Sequence, residues 1–327
     1  MPVPSALIGR TGFLSSRIRA IPLPRVHRAA AVAALLALSA CGGRGSDASA
    51  SASAPIAVVD DAGDTLRLAS PATRIVSLAP NATETLVAIG ALPQLVGRSD
   101  YDVGLGVDSV ASVGGALDPS LERLVALRPD LVIGWHSAGA NPVRDRLREM
   151  GIPFLAVRTT DTTDIFRTIG VLGRVTGRGA SADSVAAAVR SQLAAVRASV
   201  AGRPPRTAFY VVGDEPLMTA GPGTFTVQLM EIAGGRTAFP DATGQPQYVS
   251  MEELVRRQPE VVLLPVGAGG VARVAELAAR PGWRELNAFR AGTVHALPAD
   301  LVNRMGPGIG DTARRFRDAL HPDLAGR

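Results

Sequence analysis

The chain has 327 residues, of which 46% are hydrophobic and 19% are charged, enough for the core of one large or two ordinary domains. This composition excludes a disordered or collagen-like protein. Residues 1–40 hold five arginines and no acid, which accounts for the net charge of +5. The rest of the chain is neutral overall, so its charge gives no support for nucleic-acid binding.

Lysine and cysteine usage excludes several kinds of chemistry. Every basic residue is arginine, so the chain has no Walker A phosphate loop and no Schiff-base lysine. Cys41 is the only cysteine, which excludes an internal disulfide and a cysteine-based zinc or iron–sulfur site. Beyond residue 40 the histidines are His136, His295 and His321. Because they lie far apart in the sequence, we expect no dedicated metal site.

An apolar run of twelve residues over 29–40 follows an arginine-bearing segment. It is too short for an ordinary transmembrane helix and is typical of a secretory signal. The run ends in Leu-Ser-Ala before Cys41, which resembles a bacterial lipobox, whose cysteine is lipidated and becomes the first mature residue. The small polar residues that follow predict a flexible tether. We therefore expect an exported, periplasmic lipoprotein that meets the membrane only through its lipid anchor.

Strand and helix signals alternate through the first half of the body. Residues 56–69 predict a hairpin and residues 74–78 a buried strand. Asn81 is expected to cap the helix that follows, and Ser120 to start a later one before another strand at 129–133. Such alternation indicates a parallel α/β lobe.

A long helix separates two such lobes. Apolar residues between 185 and 200 recur at spacings of three and four, which predicts one stripe on a helix about 30 Å long. Pro204-Pro205 then ends the helix, and the β/α alternation resumes. The predicted organisation is a signal peptide over 1–40, a lipidated cysteine and tether over 41–55, an N-terminal lobe over 56–160, a helical bridge over 161–203 and a C-terminal lobe over 204–327.

The two lobes echo each other. The segment SLERLVALRPDLVI at 120–133 aligns with SMEELVRRQPEVVL at 250–263, at an offset of 130 residues. Both predict a serine-capped helix, a proline and a buried strand. The expected fold is therefore α/β, with two Rossmann-like lobes joined by a long bridging helix and a ligand cleft between them.

Several ordered blocks carry a resemblance to class III periplasmic binding proteins of ABC importers, which take up vitamin B12, haem or ferric siderophores. The match extends over essentially 56–322 and is most similar to vitamin B12-binding proteins. The blocks are RIVSLAPNATETLVAIGA, LVGRSDY, SVGG, PSLERLVALRPDLVIGW, GTFTVQLMEIAGG, YVSMEELVRRQPEVVLL and ALPADLVNRMGPGIGD. The resemblance implies a cobalamin ligand, with haem or a ferric siderophore as the alternative, and no cofactor.

The N-terminal lobe offers three candidate ligand-binding residues. A planar ligand between lobes needs apolar or aromatic faces and a few orienting polar groups, located in loops after the strands. The resemblance places aromatics of the cleft at Tyr101 and Trp135. His136 follows Trp135 and is a candidate axial ligand to cobalt or haem iron, although an ordinary polar loop histidine is the commoner outcome.

The C-terminal lobe offers six more. From the resemblance these are Leu217, Met218, Tyr248, Asp300, Leu301 and Arg304. Arg304 is expected either to meet a corrin amide or haem propionate, or to pair with Asp300 as a structural bridge. Some B12 binders carry a tryptophan where this chain has Leu301, and that departure weakens the assignment to cobalamin.

Glu122 and Glu252 occupy matching positions in the repeat. The resemblance implies that one glutamate from each lobe docks on a permease dimer, which works with its ATPase subunits, and two carboxylates related by pseudo-symmetry suit a two-fold partner. A first-turn glutamate also stabilises its own helix, and Glu253 is an alternative to Glu252. We expect a monomeric binding protein.

An enzyme is the alternative of a different class, because two α/β lobes with a cleft also suit a transferase or an oxidoreductase. The sequence has no GxSxG elbow, and the glycines at 306, 308 and 310 lack the full spacing of a dinucleotide-binding loop. No cluster of acid and base residues stands out. We therefore expect a protein that is not an enzyme.

Overall fold

The computed structural model describes residues 55–137, 139, 141–243, 246–267 and 270–326. The predicted signal peptide and the lipidated Cys41 lie outside these residues. Within the described part of the chain, no helix is both long and apolar enough to cross a membrane.

The first half of the described chain alternates strands and helices as predicted. Its elements are β1 (Ile56–Val59), β2 (Thr65–Leu68), β3 (Ile75–Ser77), α1 (Pro80–Ala88), a 3-10 turn (Leu92–Gln94), β4 (Leu95–Arg98), β5 (Ala111–Ser112), α2 (Leu121–Ala126), β6 (Leu131–Trp135), α3 (Pro142–Glu149) and β7 (Phe154–Val157). The hairpin of β1 and β2 is confirmed, with Ile56 opposite Leu68. The other five strands form one parallel sheet in the order β5-β4-β3-β6-β7.

Both faces of this sheet are buried, which explains its nearly continuous apolar strands. Alternate side chains of β3 and β6 point to opposite faces. Ile75 and Leu131 belong to a core shared with α1 and the helices that follow β7. Val76 and Val132 pack instead with residues of α2 and α3.

Two helices follow, α4 (Thr162–Val175) and α5 (Gly179–Ser199). Asp161 caps α4 by accepting from the amides of Thr163 and Asp164. The 21 residues of α5 span about 30 Å. The predicted apolar stripe is buried from Val189 to Val200, and Val185 is partly buried. The helix packs on α4 and also on the last long helix of the chain. One hydrophobic core therefore runs without interruption from the first sheet to the second.

The second half repeats the β/α alternation. Its elements are β8 (Arg206–Tyr210), β9 (Gly213–Asp214), β10 (Leu217–Thr219), α6 (Phe225–Ile232), β11 (Gly235–Thr237), β12 (Gln247–Tyr248), α7 (Met251–Arg257), β13 (Val261–Val266), α8 (Gly270–Ala279), a 3-10 turn (Trp283–Glu285), α9 (Asn287–Ala291), β14 (Val294–Pro298), α10 (Ala299–Val302), α11 (Ile309–Leu320) and a final 3-10 turn (Pro322–Leu324).

Four of these strands form a second parallel sheet in the order β11-β8-β13-β14. The other three strands of this half form a small antiparallel sheet in the order β12-β10-β9. Tyr210 and Leu263 face the shared core, whereas Phe209 and Val262 pack around the buried Trp283 on the other face. The fold is thus α/β with two parallel-sheet lobes, here called the N-terminal and C-terminal lobes.

The internal repeat found in the sequence is present in the structure. Ser120 caps α2 by accepting from the Arg123 amide, and Ser250 caps α7 by accepting from the Glu253 amide. Each helix is followed by a residue with positive φ, Arg128 at 48° and Gln258 at 44°. These two residues are 130 positions apart, as the alignment requires.

The acid before each repeated strand also has an equivalent role. Asp130 accepts from the backbone amides of Thr73 and Arg74, just before β3. Glu260, 130 positions later, accepts from the backbone amide of Thr207 in β8. Each acid therefore ties the start of its own strand to the neighbouring strand, and the lobes are built to the same local plan.

Replacing Ser250 with alanine should lower the free energy of unfolding by about 1 kcal/mol, because the first turn of α7 loses its side-chain cap. Urea denaturation followed by circular dichroism would measure this. Ser191→Ala is the matched control, since Ser191 is exposed in the middle of α5 and alanine there is neutral or slightly stabilising. Equal effects at the two serines would contradict the capping role.

Candidate functional site

A cavity of about 420 Å³ lies between the lobes. Its walls come from the carboxyl ends of the strands in both sheets, where ligands of open α/β sheets bind. Pro80 follows β3, Thr159 follows β7, and Ala299 follows β14. A larger cavity of about 650 Å³ is lined only by the C-terminal lobe, between α8, β14 and α11. The smaller cavity is the candidate site because both lobes contribute to it.

Trp135 ends β6 and lines the cavity. Its indole Nε1 donates to Asn81 Oδ1 at 3.2 Å, so the orientation of the ring is fixed from α1. Asn81 was expected to cap that helix, and this expectation is wrong. The N-cap is Ala79, two residues earlier, and the helix begins at Pro80, whose ring is preset for a first helical turn. This leaves the Asn81 side chain for the indole.

Tyr101 also lines the cavity and is 62% exposed. It lies in a loop held by Asp102, which is 1% exposed and accepts from the amide and the hydroxyl of Ser99 at 2.7 and 2.9 Å. Burial raises the pKa of the Asp102 carboxyl, although bonds from Thr83 and Ser99 oppose the shift. The buried acid anchors the loop and leaves the phenol ring available.

Asp300 and Arg304 line the opposite wall, in and just after α10. Arg304 Nη2 crosses to the N-terminal lobe and donates to the Val103 carbonyl at 2.8 Å. Asp300 lies beside Gly104 in the same loop: its Oδ2 would be 3.3 Å from a Cβ built there. The ion pairs among the described residues do not join Arg304 to Asp300. Both side chains therefore face the N-terminal lobe across the cavity.

Eight residues that line the cavity were not among the predicted ligand-binding residues: Pro80, Asn81, Val103, Thr159, Phe225, Ala299, Asn303 and Met305. Phe225 is half-buried, and its amide donates to the Thr160 carbonyl of the other lobe at 2.9 Å. Asn303 Oδ1 accepts from the Tyr210 hydroxyl at 2.5 Å. The sequence did contain a sign that Phe225 belongs to the site, because it directly follows the cap of α6 within the block GTFTVQLMEIAGG that carries the family resemblance.

Glu84 was also missed, and it lies at the contact between the lobes. The backbone amide of Gly308 donates to Glu84 Oε1 at 2.7 Å, across 224 positions of sequence. Burial raises the pKa of this carboxyl, and the Arg304 charge and the Gly308 amide oppose the shift. Glu84 lies within the block RIVSLAPNATETLVAIGA, but the sequence analysis gave it no role in the site.

The remaining candidates from the C-terminal lobe do not line the cavity. Leu217 is 9% exposed in the core of its lobe. Met218 and Tyr248 are cross-strand partners in the small sheet, and Tyr248 is 68% exposed. Leu301 is half-buried, and its carbonyl accepts from Thr312.

His136 lies near the cavity without lining it. It faces a separate recess of about 240 Å³ that shares Trp135 with the cavity. Its Nδ1 is buried without a hydrogen-bond partner. No group of three or more histidine, cysteine or acidic side chains that could hold a metal ion occurs among the described residues.

Glu122 and Glu252 are exposed in the first turns of α2 and α7. Neither makes a side-chain hydrogen bond or an ion pair in the part of the chain that the structure describes. Glu253 differs, because it bonds to Arg256 and Arg257, which lowers the pKa of its carboxyl. The two equivalent glutamates are therefore free to meet a partner, whereas Glu253 is committed to its own helix.

Comparison with known proteins identifies the family. The sequence profile of the periplasmic binding protein family matches residues 75–301. The chain belongs to this family. Its relatives include a cobalamin-binding protein of Halobacterium salinarum, which is 30% identical over 287 residues and matches 84% of this chain and 76% of the relative.

Two solved structures of periplasmic binding proteins show the same fold. The vitamin B12 binding protein of Vibrio cholerae has a TM-score of 0.65 at 27% identity and covers 78% of this chain and 99% of its own. A haem-binding protein of Pseudomonas aeruginosa has a TM-score of 0.69 at 26% identity and covers 77% and 93%. These relatives are described as binding proteins and not as enzymes.

Proposed function

We propose that this protein captures cobalamin in the cavity between its lobes and delivers it to an ABC importer. One observation carries the proposal: Trp135, whose indole is held by Asn81, lines one cavity together with Arg304 and Asp300, and both lobes build that cavity. Corrin rings offer a large apolar face and a rim of amides. Aromatic side chains suit the face, and charged and amide groups suit the rim.

The cavity of about 420 Å³ lies within the usual range for ligand sites. A corrinoid is larger than the ligands that such a volume holds, so the lobes must separate to admit one. The bond from Arg304 to the Val103 carbonyl crosses the cavity and has to break. We expect only a modest hinge motion, as the family resemblance implies, and the core that continues through α5 into both lobes supports this.

Haem is the second candidate, and a specific observation favours it. Tyr101 is an exposed phenol on the cavity wall, and an oxygen ligand of this kind can bind haem iron. His136 faces the neighbouring recess, so its place does not support the role of axial ligand. A ferric siderophore would need several cationic or aromatic groups. The cavity offers Arg304 and three aromatic residues, so a siderophore stays an alternative.

We also propose how the protein is exported and which partners it meets. The chain would be processed before Cys41, anchored through that lipidated cysteine and presented as a monomer in the periplasm. Glu122 and Glu252 would dock on the permease dimer, whose ATPase subunits drive uptake. The repeat supports this pairing, since it places one exposed carboxylate in the same turn of each lobe.

Tryptophan fluorescence tests the ligand, because the chain has two tryptophans in contrasting places. Trp135 lines the cavity, whereas Trp283 is 1% exposed in the core of the C-terminal lobe. The full chain in mild detergent would be titrated with cyanocobalamin, hemin and a ferric hydroxamate. We expect saturable quenching by cyanocobalamin in the wild type and in Trp283→Phe.

The Trp135→Phe variant is the control, because its remaining tryptophan reports only light absorption by the ligand and distant energy transfer. Saturable quenching by hemin, with no response to cyanocobalamin, would move the assignment to haem. Quenching of equal size in Trp135→Phe would contradict the placement of the ligand beside Trp135.

A further inference from the structure

The glycines at 306, 308 and 310 do not form a dinucleotide-binding loop. At each of them, however, a side chain from another part of the chain lies too close to leave room for a Cβ. A Cβ on Gly308 would lie 2.6 Å from Glu84 Oε1, and one on Gly306 would overlap the same carboxylate. One on Gly310 would overlap the Gln192 side chain of α5. Gly306 and Gly308 are not among the residues with positive φ. The glycines are therefore needed for space and not for backbone conformation.

The Glu84 side chain of the N-terminal lobe fills the space beside Gly306 and Gly308. Glu84 belongs to α1 of the N-terminal lobe, and Gly308 is the N-cap of the 12-residue α11 in the C-terminal lobe. The carboxylate accepts the Gly308 amide at 2.7 Å, at the end of a helix where a negative charge is favourable. Removing the Glu84 side chain, or filling the space beside it with a side chain at Gly308, would loosen the same contact.

The contact also bears on the cavity. Arg304 precedes Gly308 by four residues, and its charge acts on Glu84 and opposes the effect of burial on the pKa of that carboxyl. The Arg304 guanidinium then reaches the Val103 carbonyl across the cavity. The Glu84–Gly308 bond at the start of α11 and the Arg304–Val103 bond across the cavity therefore both join the lobes.

We propose that Glu84 and the turn at 306–308 form an interlobe latch, which holds the start of α11 against α1 and positions Arg304 in the cavity wall. Glu84 is a positioning residue in this account, because it does not line the cavity. The latch stays closed when the Arg304–Val103 bond breaks to admit the ligand. The inference rests on the proposed function only in treating this cavity as the ligand site.

A double-mutant cycle on the ligand-free full chain tests the latch through melting temperatures. Alanine fits the backbone of Gly308, where φ is −71°, and such a change usually stabilises a protein. With Glu84 present, Gly308→Ala should lower the melting temperature, because the new methyl meets the carboxylate. In a Glu84→Ala background, the same change should leave the melting temperature unchanged or raise it. An equal decrease in both backgrounds would overturn the proposal.

Hydrogen exchange of the peptide containing the Gly308 amide gives a second readout. In Glu84→Ala this amide should exchange roughly tenfold faster, the size expected for a lost bond to a charged group. Glu84→Gln keeps an acceptor oxygen and should restore most of the protection. Glu149→Ala, an exposed glutamate on α3, is the control. Unchanged exchange in Glu84→Ala would overturn the proposal, and both readouts stand whichever ligand the cavity holds.

Discussion

Replacing Glu122 and Glu252 together by alanine should reduce cobalamin import at least tenfold and leave cobalamin affinity unchanged. The structure gives each carboxylate an exposed position in the first turn of its helix, with no partner among the described residues. Truncating one partner of a charge pair that is buried on docking typically costs about 2–5 kcal/mol of binding free energy. This cost is larger than the free energy that corresponds to a tenfold change in affinity. The loss of helix stabilisation, about 0.3–1 kcal/mol for each glutamate, is much smaller.

Import of labelled cyanocobalamin into cells that lack their own copy of this protein, complemented with each variant, would measure the effect. Asp145→Ala is the matched control, because Asp145 is also an exposed acid in a first helical turn, on α3. The single variants Glu122→Ala and Glu252→Ala should each give a partial defect. Normal import by the double variant would show that these carboxylates do not dock.

Replacing Trp135 with alanine should weaken cobalamin binding by about 30-fold or more. A tryptophan buries about 150–250 Å² when covered, and at roughly 25 cal/mol per Å² one covered face contributes about 2–3 kcal/mol. That free energy corresponds to a factor of about 30 to 150 in the dissociation constant. Asn81→Ala should have a smaller effect, since it frees the ring without removing it.

Isothermal titration calorimetry of the variants with cyanocobalamin would measure this change. The control Trp283→Phe alters a fully buried ring of the C-terminal lobe that does not line the cavity, so it should change stability and not affinity. Trp135 is only half-buried, so its removal should not unfold the protein. An unchanged dissociation constant in Trp135→Ala would place the ligand elsewhere.

The lobes themselves followed from local sequence. Periodicity predicted α5, and the serine caps at 120 and 250 predicted α2 and α7, because these features depend on neighbouring residues. Trp135 was expected in the cleft from the family resemblance, and its place at the end of β6 agrees with this, because strand ends of a parallel sheet meet at one edge. The prediction failed for Asn81, because an asparagine that caps a helix and one that holds a side chain of the cavity look alike in the local sequence.

Contacts between the lobes could not be predicted in this way. Glu84 and Gly308 are 224 positions apart, and nothing local to either residue signals the other. The glycines at 306 and 308 looked like an incomplete phosphate loop, because a missing Cβ has the same sequence signature whether a phosphate or a carboxylate fills the space. Leu217 and Tyr248 were expected from resemblance alone, and the structure places one in a core and the other on an exposed strand.

Equilibrium dialysis of the full chain against cyanocobalamin tests the central claim most directly. The proposed function predicts saturation at one cyanocobalamin per protein, with hemin unable to displace it at equal concentration. Retention of hemin at one per protein with no retained cyanocobalamin would contradict the assignment to cobalamin. Because Trp135 is the proposed face of the site, weakened retention in Trp135→Ala completes the expected result.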